Sequence, residues 1–352
     1  MIKKIMCPIV IFIIVSLVLA GCNSSDETSS GLSPGASEET DSASINERVF
    51  KISHIGPQHH IWTPSMEKFK EELESRSNGR FSLEIYTDAV LGDDPDLMNQ
   101  LEAGTLEMAW INTIALGNYS DSFSAWLLPY LIEGPEAAYE MAQTEEAQKI
   151  LDTLNNNGVH GLGYVYLETK GLLMKDGIKV ENIADLKGYK IRVTPGPVVL
   201  DWWETVGALP TPVPLPETFN AFQTGVVDGI DQGPVTVVGG RYYEVSKNYV
   251  RTDHMIFNGG ALVSQKLWNE LSDEDKSIIE EAFQVAQEYN LELSMNWENE
   301  NLDEFESNGG VVSTLGDMTS TLEIAREFQD KYAEQDPLIK AFVEKAREIG
   351  GQ

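Results

Sequence analysis

Cysteine is scarce in this 352-residue chain, which contains only Cys7 and Cys22. Lys3 and Lys4 precede an apolar run over residues 9–18, and this arrangement predicts a secretory signal that is too short for a stable membrane span. Cys7 would be removed with that signal. We therefore expect no disulfide within one mature chain, and a fold that is stabilised by its core alone.

The apolar run ends in Leu19-Ala20-Gly21-Cys22, which resembles the lipobox of bacterial lipoproteins. In that interpretation residues 1–22 are a lipoprotein signal, and Cys22 is lipidated and becomes the first mature residue. An ordinary signal that happens to contain a cysteine is the alternative. Residues 23–46 are rich in Ser, Gly, Glu, Asp and Thr, which predicts a flexible acidic tether. We expect an extracytoplasmic protein, anchored to the cell membrane by lipid.

Basic residues are few: 25 Lys and Arg stand against 56 Asp and Glu, for a formal net charge of −31. This imbalance argues against nucleic acid or an anionic lipid surface as a partner. An anionic solute would be repelled at long range, although salt screens charges beyond about 8 Å. Binding of an anion would therefore require a buried local cation.

Catalytic and metal-binding patterns are also lacking. The chain has five histidines and no H-E-x-x-H motif, and the adjacent His59 and His60 would point apart in a regular element. Residues 93–96 read Asp-Asp-Pro-Asp but lack the Gly and distal Glu of an EF-hand loop. We expect these acids to favour the positive end of the following helix. The sequence predicts no cofactor, no metal site and no enzyme.

From residue 48 onward, short β-like runs alternate with amphipathic helical patterns, which is typical of βαβ units on a mostly parallel sheet. A very long helix is predicted over residues 272–307, opened by the capping pattern of Ser272 and the acids after it. We predict one domain from residues 47–168 with about 256–298, and a second from residues 169–255 with about 299–352.

Residues 184–234 combine a short strand that ends near Arg192, a Pro-rich crossing, a helix and a second strand that ends in Asp231-Gln232. This stretch resembles the solute-binding proteins of TRAP (tripartite ATP-independent periplasmic) transporters. Four further motifs agree with the resemblance, which covers residues 50–313: residues 76–80, 89–92, 101–108 and 267–274. It implies a two-domain α/β fold of the periplasmic-binding-protein type, with an interdomain cleft, crossing strands and a long helix that spans both domains.

The resemblance implies that Arg192 is the carboxylate clamp of the family, because a guanidinium binds a carboxylate bidentately and keeps its charge. A structural pairing of Arg192 with an acid is the alternative. Gln232 lies where relatives often have an Asn, and is predicted to line the site. Leu215 lies where relatives place an apolar wall, with core packing as the alternative interpretation.

On the other predicted domain, Asn112 and either His59 or His60 follow strands at the carboxyl edge of the sheet, the usual ligand edge of an open α/β sheet.

Many relatives carry a second Arg around residues 163–168, which this chain lacks. A monocarboxylate is therefore expected, with Tyr166 or Glu168 contacting its hydroxyl groups. Asp231 in the site would repel a second anionic group but suit a hydroxyl or an ammonium group. A solvated loop residue or an exposed strand-end acid is the alternative interpretation of Asp231.

We therefore expect a protein that captures a small organic acid and delivers it to the large and small membrane subunits of a TRAP permease. A lipoprotein that presents its ligand to a membrane sensor is one alternative, and a secreted enzyme on the same fold is a weaker one.

Overall fold

The computed structural model describes residues 48–351. The predicted signal, Cys22 and the predicted tether lie outside these residues. The described chain forms the strands β1 Arg48–Ser53, β2 Phe81–Tyr86, β3 Met108–Asn112, β4 Val159–Thr169, β5 Gly171–Met174, β6 Lys190–Val193, β7 Leu209–Pro212, β8 Gly229–Gln232, β9 Asn248–Arg251, β10 Ile256–Ser264 and β11 Val311–Thr314.

Between the strands run helices of very different length. They are α1 Trp62–Arg76, α2 Asp94–Ala103, α3 Thr113–Leu116, α4 Gly134–Ala142, α5 Glu145–Asp152, α6 Pro197–Thr205, α7 Leu215–Gln223, α8 Pro234–Gly239, α9 Gln265–Glu270, α10 Asp273–Ser307, α11 Thr319–Ala333 and α12 Pro337–Gly350. Short 3-10 helices cover Asp121–Leu127, Thr153–Asn157, Ile183–Leu186 and Tyr242–Glu244. Within residues 48–351, none of the helices has both the length and the hydropathy needed to cross a bilayer.

The strands form two sheets. The first has the order β2-β1-β3-β10-β4, with β1 parallel to β2 and β3, and β10 antiparallel to β3 and β4. The second has the order β11-β9-β5-β8-β6-β7. The chain crosses between the sheets at Lys170, which joins β4 to β5, and again over residues 252–255, which join β9 to β10. The predicted α/β class with crossing strands is confirmed.

Central strands of the first sheet are buried on both faces. All five residues of β3 and all nine of β10 are buried, as expected for strands with helices on either side. Trp110 of β3 packs edge-on against Trp62 of α1, with ring centroids 6.1 Å apart, and against Phe283 of α10, at 6.3 Å. These aromatic contacts join the sheet to two helices in one core.

The long helix α10 begins where the sequence predicts. Ser272 caps it, because the hydroxyl oxygen of Ser272 accepts a hydrogen bond from the amide of Asp275 at 3.1 Å. Its 35 residues run for roughly 50 Å. It packs on α1 and β4 beside the first sheet and on α8 and β11 beside the second. Helix α10 therefore spans both sheets, as predicted.

The two C-terminal helices contact both parts of the fold. Helix α12 packs on α4 and α5, and Phe342 lies 4.8 Å from Trp126 between ring centroids. Helix α11 reaches α6, because Lys331 forms an ion pair with Asp201 at 2.6 Å. The predicted domain boundaries place both helices with the second domain and stay a prediction; the contacts of α12 favour the first.

Candidate functional site

A cavity of about 150 Å³ lies between the two sheets. Elements beside the first sheet contribute one wall, and elements beside the second contribute the other. The apolar lining includes Trp62, Leu167, Leu215 and Phe257, and the polar lining includes His60, Asp93, Asp94, Asn112, Thr194, Gln232 and Thr236. A mostly apolar cavity with a few convergent polar groups is the usual form of a small-molecule site.

Arg192, the predicted clamp, is fully buried in β6, next to the cavity. Its Nε donates to the carbonyl of Val213 at 2.8 Å, and its Nη1 donates to Oε1 of Gln232 at 2.8 Å. The remaining nitrogen, Nη2, has no hydrogen-bond partner among the described residues. Burial lowers the pKa of Arg192 to about 10, so the guanidinium stays charged at neutral pH. Arg192 thus lies behind Gln232, which forms the wall, and retains unused donor capacity.

Gln232 lines the cavity, and its amide is oriented by two partners. Oε1 accepts from Arg192, and Nε2 donates to Oε1 of Glu168 at 3.0 Å. These two hydrogen bonds orient the amide, with its oxygen toward the Arg192 guanidinium and its nitrogen toward Glu168. Gln232 therefore links the guanidinium to a buried carboxylate.

Glu168 is fully buried and holds the start of α8 rather than lining the cavity. Its carboxylate accepts from the amides of Gly233 at 3.1 Å and Thr236 at 3.0 Å, and from the Thr236 hydroxyl at 2.8 Å. A Cβ at Gly233 would lie 2.3 Å from the Glu168 carboxyl carbon, so this close approach requires glycine. Burial raises the pKa of Glu168, and the bonds from Thr236 oppose the rise.

Asp231 points into a second buried cluster. Its Oδ2 accepts from the indole of Trp203 at 2.8 Å, and its Oδ1 lies 3.3 Å from the Lys170 ammonium and 3.6 Å from His254. Burial alone would raise the pKa of Asp231, but the Lys170 charge and the His254 ring hold it well below its usual range. These contacts favour a structural role for Asp231. Its carboxylate on β8 contacts both segments in which the chain crosses between the sheets, Lys170 and residues 252–255.

The sequence analysis missed Lys170. It is fully buried, and its ammonium also lies 4.5 Å from the ring centroid of Phe257, which lines the cavity. A lysine flanked by strand residues on both sides was the signal that could have identified it, because a buried lysine requires a charged partner.

Tyr166 fastens β4 to α10. Its hydroxyl bonds to the Thr169 hydroxyl at 2.8 Å and to the Glu298 carboxylate, which also accepts from the Thr169 amide at 2.6 Å. Its backbone amide donates to the side chain of Asn290 at 2.7 Å. Tyr166 does not line the cavity between the sheets, and these contacts favour a role in holding the long helix.

The remaining predicted residues reach the cavity. His60 lines it and His59 is exposed, and burial keeps the pKa of His60 well below its usual value, so the ring is neutral. Leu215 lines the opposite wall at the start of α7. Asn112 caps α3 by accepting from the Ala115 amide at 2.9 Å. The structure therefore brings Asn112, His60, Leu215 and Gln232 to one cavity.

The sequence analysis also missed Asp94 as a cavity residue. The capping interpretation of the acidic run is confirmed for Asp93, which forms a capping box with Asp96. Asp94, however, is only 7% exposed and lines the cavity, where its Oδ2 accepts from Nδ2 of Asn112 at 2.5 Å. Its Oδ1 has no partner within the described part of the chain. Burial raises the pKa of Asp94 to about 7, against the bond from Asn112.

This buried carboxyl group predicts a stability effect that depends on pH. The folded-state pKa of Asp94 is about 7, against an ordinary value of 3.8, so ionisation destabilises the folded state as pH rises from about 4 to 7. Asp94→Asn should therefore raise the free energy of unfolding of the empty protein by about 1 to 4 kcal/mol at pH 8 and much less at pH 4. Chemical unfolding at both pH values measures this.

Glu67→Gln is the matched control, because it removes one negative charge from an exposed position on α1. It should change stability by less than about 0.5 kcal/mol at either pH. An equal gain in stability for Asp94→Asn at pH 4 and pH 8 would contradict the assigned pKa.

Two sheets joined by crossing strands, a long helix that spans both, and a cavity between the sheets beside a buried cation are typical of a two-domain solute-binding protein. Residues 52–335 match the family described as bacterial extracellular solute-binding protein, family 7, or DctP. The chain belongs to this family, whose members include the solute-binding proteins of TRAP transporters.

Relatives with a stated ligand share part of the sequence. The sialic acid-binding periplasmic protein SiaP of Vibrio cholerae is 29% identical over 246 residues, which are 70% of this chain and 76% of SiaP. A TRAP periplasmic solute-binding protein of Haemophilus influenzae, solved with bound L-gulonate, is 25% identical with a TM-score of 0.80, covering 86% of this chain and 99% of that one. A Chromohalobacter salexigens protein solved with D-glucuronate shares the fold at 23% identity and a TM-score of 0.80, covering 85% and 99%.

Proposed function

We propose that this protein captures a small organic acid by its carboxylate in the cavity between the sheets. The observation that carries the proposal is Arg192, a fully buried guanidinium beside the cavity whose Nη2 has no partner among residues 48–351. A buried donor on a charged group costs free energy while it is unpaired, and a ligand carboxylate would remove that cost.

The charges around Arg192 favour a single carboxylate on the ligand. Lys170, the nearest other buried cation, is paired with Asp231, whereas the hydrogen bonds of Arg192 go to neutral groups. The two acids on the cavity lining, Asp93 and Asp94, would repel a second carboxylate. The relative from Haemophilus influenzae supports this ligand class, because the L-gulonate solved with it carries one carboxylate and several hydroxyl groups.

Delivery to the large and small membrane subunits of a TRAP permease is the proposed biological step. Lipidation of Cys22 would anchor the mature chain outside the cell membrane, and residues 23–46 would tether the folded part to it. Fully extended, that tether could span up to about 80 Å. The two domains, one around each sheet, would close around the bound acid, and the permease would recognise this closed form. Domain closure around a ligand is a common mode of switching in proteins of this architecture.

Thermal unfolding of a soluble form that starts after Cys22 tests the binding step. The panel contains monocarboxylic, dicarboxylic, sugar, keto and amino acids. A ligand present at 100 times its dissociation constant should add about 2.7 kcal/mol of stability. We expect a selective shift with one group of acids. The absence of a shift with every acid would overturn the proposed function.

Uptake by membrane vesicles that contain both permease subunits tests the delivery step. The expected result is accumulation of the acid only when the binding protein is present. Binding without stimulated uptake would instead support presentation of the ligand to a membrane sensor.

A further inference from the structure

The cavity has two chemically different sides. Arg192 and Gln232 lie on the second-sheet side, on β6 and β8, and Nη2 of Arg192 is a donor without a partner among the described residues. Asp94 and Asn112 lie on the first-sheet side, at the start of α2 and the end of β3. A ligand whose carboxylate approaches Arg192 therefore presents its other end to a carboxyl group.

Asp94 has one oxygen engaged and one free. Asn112 donates to Oδ2 at 2.5 Å, and this bond fixes the plane of the carboxyl group. Oδ1 has no hydrogen-bond partner in the described chain, although the residue is more than nine-tenths buried and lines the cavity. Native proteins rarely leave such a buried acceptor unpaired, because the lost hydration is not replaced. A donor on the ligand would replace it.

The neighbouring acid Asp93 has no such buried, unpaired oxygen among the described residues. Asp93 is exposed, and its side chain accepts from the amide of Asp96 at 3.2 Å to cap α2. Because the Asp93 carboxylate is solvated, water can replace a hydrogen bond from the ligand there at little cost in free energy. The discriminating group on this side of the cavity is therefore Asp94.

We propose that Asp94 selects the ligand by accepting a hydrogen bond from a hydroxyl group remote from the carboxylate that Arg192 binds. Polyhydroxy monocarboxylates would then be preferred over dicarboxylates of equal length, because a second carboxylate offers no donor and repels Asp94. This inference rests on the proposed function and adds the group that determines specificity within it. A site with a buried acceptor that needs a donor from the ligand rejects analogues without that donor, because the acceptor then stays unpaired.

The protonation state of Asp94 sets how strong this preference is. Ionised Asp94 accepts from a hydroxyl group, whereas neutral Asp94 can place its proton on Oδ1 and donate to an acceptor. The groups nearby are Asp93, Tyr119 and His60, of which His60 is neutral through burial and the tyrosine has a raised pKa. The preference should therefore weaken as the pH falls below about 7.

Calorimetric titration with three six-carbon probes tests the inference: L-gulonate, hexanoate and adipate. Wild-type protein at pH 8 should bind L-gulonate at least about 10-fold more tightly than adipate or hexanoate. Asp94→Asn should weaken L-gulonate binding by about 10-fold, because a neutral amide replaces the charged acceptor of the hydroxyl hydrogen bond. Adipate binding should be unchanged or stronger in the same variant.

Glu67→Gln serves as the control for the loss of one negative charge at an exposed position on α1, and should leave the ratio of the two affinities unchanged. The wild-type ratio, measured at pH 6 and pH 8, gives a second test that requires no variant, and should fall at pH 6, where adipate is still mostly a dianion.

Equal losses for L-gulonate and adipate in Asp94→Asn, or equal wild-type affinities for the two at pH 8, would overturn the role of Asp94 while leaving carboxylate binding intact. If no acid binds the wild type, the proposed function and this inference both fail.

Discussion

Replacing Arg192 with alanine is expected to weaken binding of the captured acid by about 2 to 5 kcal/mol, or roughly 30- to 5000-fold. The guanidinium is fully buried beside the cavity with Nη2 unpaired, so a ligand carboxylate would meet a desolvated charge. Its removal would also leave Oε1 of Gln232 and the carbonyl of Val213 without their donor. Calorimetric titration with the tightest acid of the panel measures the loss.

Two further variants separate charge from geometry. Arg192→Lys keeps the charge but loses the planar fork, so its affinity should lie between those of the wild type and the alanine variant. Arg326→Ala removes one positive charge from an exposed position on α11 and should leave affinity unchanged. If Arg192→Ala folds and binds the acid as tightly as the wild type, the site assignment is wrong.

Replacing Lys170 with methionine is expected to lower the free energy of unfolding by about 3 to 5 kcal/mol, because it leaves the Asp231 carboxylate buried without its cation. Both side chains are fully buried, 3.3 Å apart, and Lys170 also packs on Phe257. The pair lies where the chain crosses between the sheets, so its loss should affect the whole described fold. Chemical unfolding of the empty protein at pH 7 measures the effect.

A double variant and a surface pair provide the controls. Lys170→Met combined with Asp231→Asn should recover part of the lost stability, because no buried carboxylate then remains unpaired. Lys149→Met breaks an exposed i,i+4 pair with Glu145 and should cost no more than about 0.5 kcal/mol. Equal costs for Lys170→Met and Lys149→Met would contradict the buried pair.

Most of the fold could be predicted because its signals are local. Ser272 and the acids after it mark the start of α10, and its buried residues recur at helical spacing from Ile279 to Ser294. Strand β7 was not predicted, because its sequence Leu-Pro-Thr-Pro lacks β propensity; proline is tolerated there since β7 is an edge strand of its sheet.

Site positions could be predicted from the family resemblance and from the carboxyl ends of strands. Gln232 and Leu215, assigned by the resemblance, and Asn112 and His60, assigned from strand ends, line the cavity, and Arg192 lies behind Gln232. Asp94 and Lys170 were missed because burial decides their roles, and the burial of a single acid or lysine depends on residues distant in sequence. The resemblance placed Glu168 near the ligand, whereas its four hydrogen bonds hold Gln232 and the start of α8.

A crystal structure of the protein with the tightest acid of the panel tests the central claim most directly. The account predicts a ligand carboxylate within hydrogen-bond distance of the Arg192 guanidinium, and a ligand hydroxyl within hydrogen-bond distance of Oδ1 of Asp94. A ligand bound outside the cavity, or with its carboxylate away from Arg192, would contradict the account.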